Sequence, residues 1–165
     1  AVGNEYTLST CQLDFCLPMR FDLKYVDKDG NKKTPVVLHR AILGSLDRFM
    51  AYILEETKGA LPTWLSPVQV NVIPVNLEYH TEYSNKVYNL LIENGIRAEV
   101  DLREEKLSYK MRESQTRKIP FTLILGDNEL NSDTVSYRCF GSKDTDTLAT
   151  TDFINMIKER IALKK

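Results

Sequence analysis

Apolar residues recur in two rhythms along this chain. Residues 7–16 alternate, as a strand does, with Ser9, Cys11, Leu13 and Phe15 on one face and Thr10, Gln12 and Asp14 on the other. Leu17-Pro18 closes that strand. Residues 21–26 form a second strand, and Asp27-Lys28-Asp29-Gly30 is a turn in which Gly30 is free to take positive φ. The chain returns over residues 32–43, firmly from Val36 because Pro35 lacks a donor. After Gly44 the rhythm changes. Leu46, Phe49, Met50, Ile53 and Leu54 make one helical stripe, expected to face the core, with Ser45 at the N-cap and Arg48, Tyr52 and Glu55 off the stripe.

Residues 57–67 read as a linker. Gly59 closes the helix, Pro62 and Pro67 bracket Trp64, and Trp64 is expected to pack between two parts. From Val68 strands and helices alternate. Strands are expected over 68–75, 96–101, 120–125 and 134–139, and helices over 79–94, 104–118 and 151–163. Residues 126–129 read as a turn, Thr151 as the cap of the last helix, and Phe153, Met156, Ile157 and Ile161 as its inward side. The order β-α-β-α-β-β-α implies a mixed sheet with a parallel core, right-handed crossovers and helices on its faces.

Composition narrows the classes. With 165 residues, 42% apolar and 27% charged, the chain has room for one ordinary domain, or one plus a piece of another. A net charge of −1 does not advertise nucleic-acid binding, so any such role needs a local basic face. No apolar run is long enough for a membrane span, and no signal-peptide layout opens the chain. Three cysteines, widely spaced and without a CxxC, fit reduced cytosolic thiols, hence a cytoplasmic location. The chain opens on Ala-Val-Gly-Asn-Glu, in mid-architecture, and is expected to be a fragment.

Several residues carry two readings each. Most strand–glycine–helix joints with an arginine in the first turn bind nothing, and Arg48 would then pair with Tyr52 or Glu55; alternatively Gly44 lets a bulky ligand approach the backbone beside Arg48. A polar face of Thr10, Gln12 and Asp14 is either solvated or the wall of a site. His39 in an apolar strand is more often a hydrogen-bonded residue than a metal ligand, and nothing local supplies the other ligands. Arg103, Lys106, Lys110 and Arg117 fall roughly on one side of a helix, opposed by Glu104, Glu105 and Glu113. That is an ordinary solvated helix, or a mixed-sign surface suited to a few unstacked RNA bases.

The specific strings go further. Gly44-Ser45-Leu46-Asp47-Arg48, between a strand and an amphipathic helix, resembles motif 3 of class II aminoacyl-tRNA synthetases. His39-Arg40-Ala41-Ile42-Leu43-Gly44-Ser45 and Pro62-Thr63-Trp64-Leu65-Ser66-Pro67-Val68-Gln69-Val70 resemble the threonyl-tRNA synthetase family. Asp101-Leu102-Arg103-Glu104-Glu105-Lys106-Leu107, Lys110-Met111-Arg112-Glu113, Ile119-Pro120-Phe121 and Gly126-Asp127-Asn128-Glu129 resemble its anticodon-binding domain. The resemblance covers essentially the whole chain. It implies an α/β fold, with a mixed five-stranded sheet flanked by helices over 62–165. A partial antiparallel-sheet piece of a class II catalytic domain precedes it over 1–61.

By that resemblance, the parent is a homodimeric ligase that joins threonine to its tRNA through threonyl-adenylate, using ATP. Arg48 lies against the adenine and near the terminal phosphate. Thr10, Gln12 and Ser45 flank the adenylate. His39 is one of three zinc ligands that grip threonine; the other two lie upstream of Ala1, so no zinc is expected on this chain alone. Glu104, Arg112, Glu129 and Arg138 reach the anticodon of threonine tRNA, although Glu104 stands where asparagine is frequent and has no amide donor to offer. Arg138 has a plain alternative as a strand-edge arginine. No DNA or membrane partner is implied. Motifs 1 and 2 are missing, so the chain alone is expected to make no adenylate. The alternative is a free-standing, non-catalytic tRNA-binding or regulatory module, and the intact Gly44–Arg48 string favours the ligase fragment.

Overall fold

A computed structural model describes residue 3 and residues 5–165. It divides into two compact units, Ala1–Glu56 and Thr57–Lys165.

The first unit is a thin scaffold. Strand β1 (Thr10–Asp14) is followed by a short helix α1 (Cys16–Arg20), where the sequence reading has only a strand end. Asp14 makes that helix. Its Oδ1 accepts from the backbone N–H groups of Cys16 and Leu17 at 2.8 and 3.0 Å. Pro18 sits in the first turn, where a missing donor costs nothing. Strands β2 (Tyr25–Val26) and β3 (Lys32–Lys33) form a hairpin. In its turn Gly30 has φ +81, and the Asp27 carboxylate accepts from Asn31 and Asp29 at 2.8 and 2.9 Å.

The expected long return strand is split. After Pro35 the chain leaves the hairpin, and β4 (Val37–Ala41) pairs antiparallel with β1, with Gln12 opposite His39. A short joint follows, in which Gly44 has φ +68 and a side chain would meet the Leu8 carbonyl. Helix α2 (Leu46–Glu56) then starts from Ser45, whose Oγ accepts from the Arg48 N–H at 3.4 Å. Its apolar stripe is not core. Leu46, Met50 and Leu54 are 71%, 53% and 47% exposed, and only Phe49 and Ile53 are half-buried. A stripe buries only where a partner surface exists, and the described residues of this unit cover it only in part.

The second unit holds the core. Its elements are β5 (Val70–Pro74), α3 (Leu77–Glu93), β6 (Ala98–Val100), α4 (Leu107–Thr116), β7 (Phe121–Leu125), α5 (Asp127–Ser132), β8 (Thr134–Cys139), β9 (Asp146–Ala149) and α6 (Thr150–Ala162). The five-stranded sheet runs β6-β5-β7-β8-β9, parallel across its first three strands and antiparallel at β8 and β9. Two elements were not legible in the sequence. The expected turn at 126–129 opens α5, where the Glu129 carboxylate reaches back to the Gly126 N–H at 2.9 Å. The other is the edge strand β9. The cap of α6 also moves: Ala149 stands at the N-cap, and Thr150, not Thr151, donates its hydroxyl to Asp133 O at 3.0 Å.

One face of the sheet is apolar. Val70, Val72, Phe121, Leu123, Leu125, Val135 and Tyr137 meet Val87 and Leu91 of α3 and Phe153 and Ile157 of α6. Phe153 lies edge-on to Phe121 at 5.9 Å and tilted against Tyr137 at 5.2 Å. The other face is partly polar, and α4 is seated on it by a 2.6 Å hydrogen bond between Ser114 and Thr122. The expected linker belongs to this unit. Buried Gln69 donates to Thr63 O at 2.8 Å and accepts from the Arg97 N–H at 2.9 Å. The Arg97 guanidinium donates to the carbonyls of Trp64 and Ser66. Trp64 stays 36% exposed, with the Lys164 ammonium 5.8 Å from its ring.

Two truncations separate core from surface. Phe153→Ala should cost about 3–5 kcal/mol in urea unfolding followed by circular dichroism. Met50→Ala, on the exposed stripe, should stay within about 0.5 kcal/mol.

Candidate functional site

The first unit gathers its candidates on two surfaces. Thr10, Gln12 and Asp14 share one face of β1, and the register sets Ala41, His39 and Val37 of β4 opposite them. Gln12 and His39 are therefore neighbours, both exposed. His39 Nε2 lies 2.9 Å from Asp14 Oδ2. That hydrogen bond, with those from Leu17 and Cys16, holds the Asp14 carboxyl below its ordinary range. Asp14 was legible as a member of the polar face but not as the partner of His39, because the link crosses two strands. Among the described residues, no group of three His, Cys, Asp or Glu side chains could hold a metal ion. His39 alone does not make a zinc site.

Ser45 and Arg48 lie at the start of α2, the end where backbone N–H groups and helix dipole favour an anion. Arg48 lines a cavity of about 140 Å³ with Tyr6, Leu8, Ala51, Tyr52 and Glu55. It is smaller than the several hundred Å³ that ligand pockets span, so it does not enclose a whole nucleotide.

The second unit rearranges the expected basic face. Helix α4 starts at Leu107, so Arg103 lies before it. Arg103 donates to both Asp101 oxygens at 2.9 and 2.6 Å and to Glu113 at 2.8 Å. Arg103, ahead of the other contacts, keeps Asp101 ionised well below the usual carboxylate range. Lys110 is 2% exposed and donates to Asp101 O at 3.0 Å. Arg117 pairs with Glu99. Of the four cations read as a surface stripe, Lys110 is thus buried, Arg103 and Arg117 are paired with carboxylates at the surface, and Lys106 stands exposed at the N-cap of α4.

Of the four residues expected at the anticodon, Glu104 and Arg112 are exposed, in the bend before α4 and on α4 itself. Glu129 and Arg138 are half-buried and lie towards one side of β8. Glu129 Oε1 accepts from Ser136 Oγ at 2.6 Å, and Ser136 and Arg138 share a strand face. Burial alone would raise the Glu129 carboxyl; the hydrogen bonds from Ser136 and Gly126 outweigh it and hold the group below its ordinary range. Arg138 donates to Thr145 Oγ1 at 3.2 Å. It stands opposite Thr122 of β7, on the face that α4 covers.

Comparison with known proteins gives this geometry its context. The family model of the anticodon binding domain matches residues 69–160. This chain belongs to that family of anticodon-binding domains. The model of the tRNA synthetase class II core domain (G, H, P, S and T) matches residues 1–57. Threonine–tRNA ligase of Oceanobacillus iheyensis is 52% identical over 165 residues, all of this chain and 26% of that protein. The ligase of Listeria monocytogenes is 51% identical over 162 residues, 98% of this chain and 25% of that protein. Over its whole length the chain is thus similar to a stretch of these threonine–tRNA ligases, with the class II core match followed by the anticodon-binding match, and it spans about a quarter of the length of these relatives.

Among solved structures, the RNA binding domain of threonyl-tRNA synthetase from Cryptosporidium parvum matches with TM-score 0.84 and 36% identity, over 97% of this chain and 40% of that one. Prolyl-tRNA synthetase from the same organism matches with TM-score 0.74 at 18% identity, over 95% of this chain and 37% of that one, a likeness of fold alone.

The His39–Asp14 contact has a measurable signature. Because the folded Asp14 carboxyl is depressed, the stability it contributes is present above the ordinary aspartate range and lost as pH falls through the folded value. His39→Ala should move the Asp14 titration, followed by NMR, up towards the ordinary range; an unmoved titration would mean that His39 is not its partner.

Proposed function

We propose that this chain serves in threonine–tRNA ligation, supplying motif 3 of the catalytic core and the reader of the tRNA anticodon. The observation that carries this reading is the order of two independently matched parts on one chain, a class II core over 1–57 and an anticodon-binding domain over 69–160. The boundary between the two roles is set near residues 61 and 62. In the whole enzyme, by this reading a cytoplasmic homodimer, threonine is joined to its tRNA through threonyl-adenylate at the expense of ATP.

Each candidate has a role in that reading. Arg48, permanently charged at the start of α2, sets a cation against the nucleotide phosphates and a flat guanidinium against the adenine. Ser45 fixes the helix start that aims it. Thr10 and Gln12 line the wall beside the adenylate. His39, oriented by Asp14, would offer one imidazole to a zinc ion that grips threonine. Glu104, Arg112, Glu129 and Arg138 contact the anticodon, Glu104 as an acceptor only. A free-standing tRNA-binding module is the less favoured reading, since it has no use for Arg48 and Ser45 at the α2 start.

Binding of the chain to a threonine-tRNA anticodon stem-loop, against the same loop with its anticodon bases changed, tests this at fixed salt. The cognate loop should bind more tightly, and Arg138→Ala should cost about 1–3 kcal/mol on it alone. Weak binding that ignores the anticodon and vanishes with modest salt would leave only a charged surface.

A further inference from the structure

The face of the sheet beneath α4 carries a polar row that the fold leaves under-satisfied. Asn71 of β5, Thr122 of β7 and Arg138 of β8 stand side by side in register. Thr122 is bonded to Ser114, but Asn71 Oδ1 and Arg138 Nε are buried without a partner. Gln115, next along α4, behaves the same way at its amide end: Nε2 is buried and unpaired. Its other atom is engaged. Gln115 Oε1 accepts from the Gly141 N–H at 3.0 Å, in the turn that joins β8 to β9. Because that atom must accept, the amide orientation is fixed.

The same turn holds the partner of Arg138, for Arg138 Nη2 donates to Thr145 Oγ1 at 3.2 Å. Two side-chain ties, one from α4 and one from β8, therefore bind one exposed turn to the body, beside the backbone bond from Phe140 N–H to Pro120 O at 2.9 Å. Gly141 has φ +78, a conformation suited to glycine, which gives the turn its shape. Buried polar atoms without a partner are uncommon in native folds.

Resting on the reading of this unit as an anticodon reader, we propose that Gln115 is a positioning residue for base recognition: by holding the Gly141 turn it sets Thr145, and through Thr145 the guanidinium of Arg138. It contacts no base itself. Arg138 Nε is buried, so the end of the side chain that an acceptor on an unstacked base can reach is the Nη end, at its exposed contact with Thr145. Nothing in the motif strings marks Gln115; its role follows from one hydrogen bond across the sheet face.

The test separates holding the turn from merely stabilising the fold. Gln115→Leu removes the acceptor for Gly141 N–H. Gln115→Glu keeps an acceptor there and puts a second, negatively charged oxygen in place of the amide nitrogen. Each variant of the full chain is assayed for the ratio of affinities between the threonine-tRNA anticodon stem-loop and the loop with changed anticodon bases. The added charge of Gln115→Glu acts on both loops alike, so the ratio is insulated from it. The ratio should fall about tenfold in Gln115→Leu and be restored in Gln115→Glu, with both variants retaining the wild-type circular dichroism. An unchanged ratio in Gln115→Leu, or a loss that Gln115→Glu fails to restore, overturns the positioning role while the anticodon reading stands. A wild-type chain with no discrimination overturns that reading, and this inference with it.

Discussion

Strands β5 and β7 must be covered on both faces, and the rest of the second unit follows from how that is done. Val70, Val72, Ile73, Leu123 and Leu125 are fully buried. On one face apolar side chains from α3 and α6 close the core by area alone. On the other, Asn71 and Thr122 are polar and need partners, so α4 cannot slide freely over them. The Ser114–Thr122 hydrogen bond fixes its seat. With α4 tied there, β8 and β9 extend the sheet beyond it, and the polar side chains of Ser136 and Arg138 emerge along its margin.

That arrangement explains which features were legible in the chain. Runs such as Val-Asn-Val-Ile-Pro and Phe-Thr-Leu-Ile-Leu announce buried strands, and the stripes of α3 and α6 announce helices. Asp-Thr-Leu-Ala does not announce β9, because an edge strand with one half-buried side chain carries no apolar rhythm. Asp-Asn-Glu-Leu-Asn-Ser reads as a turn, and only the back-bond from Glu129 to Gly126 makes it a helix. The stripe of α2 is true to its period, but period reports a face and not what lies against it.

The charged residues teach the same lesson in electrostatic form. Periodicity placed Arg103, Lys106, Lys110 and Arg117 together, yet the fold gives three of them different partners. Asp101 and Glu113 take Arg103, the main chain of Asp101 takes Lys110, and Glu99 takes Arg117. Of these three paired cations only Lys110 is buried.

The two-stranded β1–β4 ribbon has a kinetic consequence. A pair of strands with no further neighbour among the described residues is marginal by itself, and the helix beside it leaves most of its apolar stripe in water. Amide protons there exchange with solvent through local opening, long before those of β5 and β7, which wait for the unfolding of a whole core. Within one covalent chain the residues that would meet the nucleotide belong to the segment that breathes, and those that would meet the anticodon belong to the segment that keeps time.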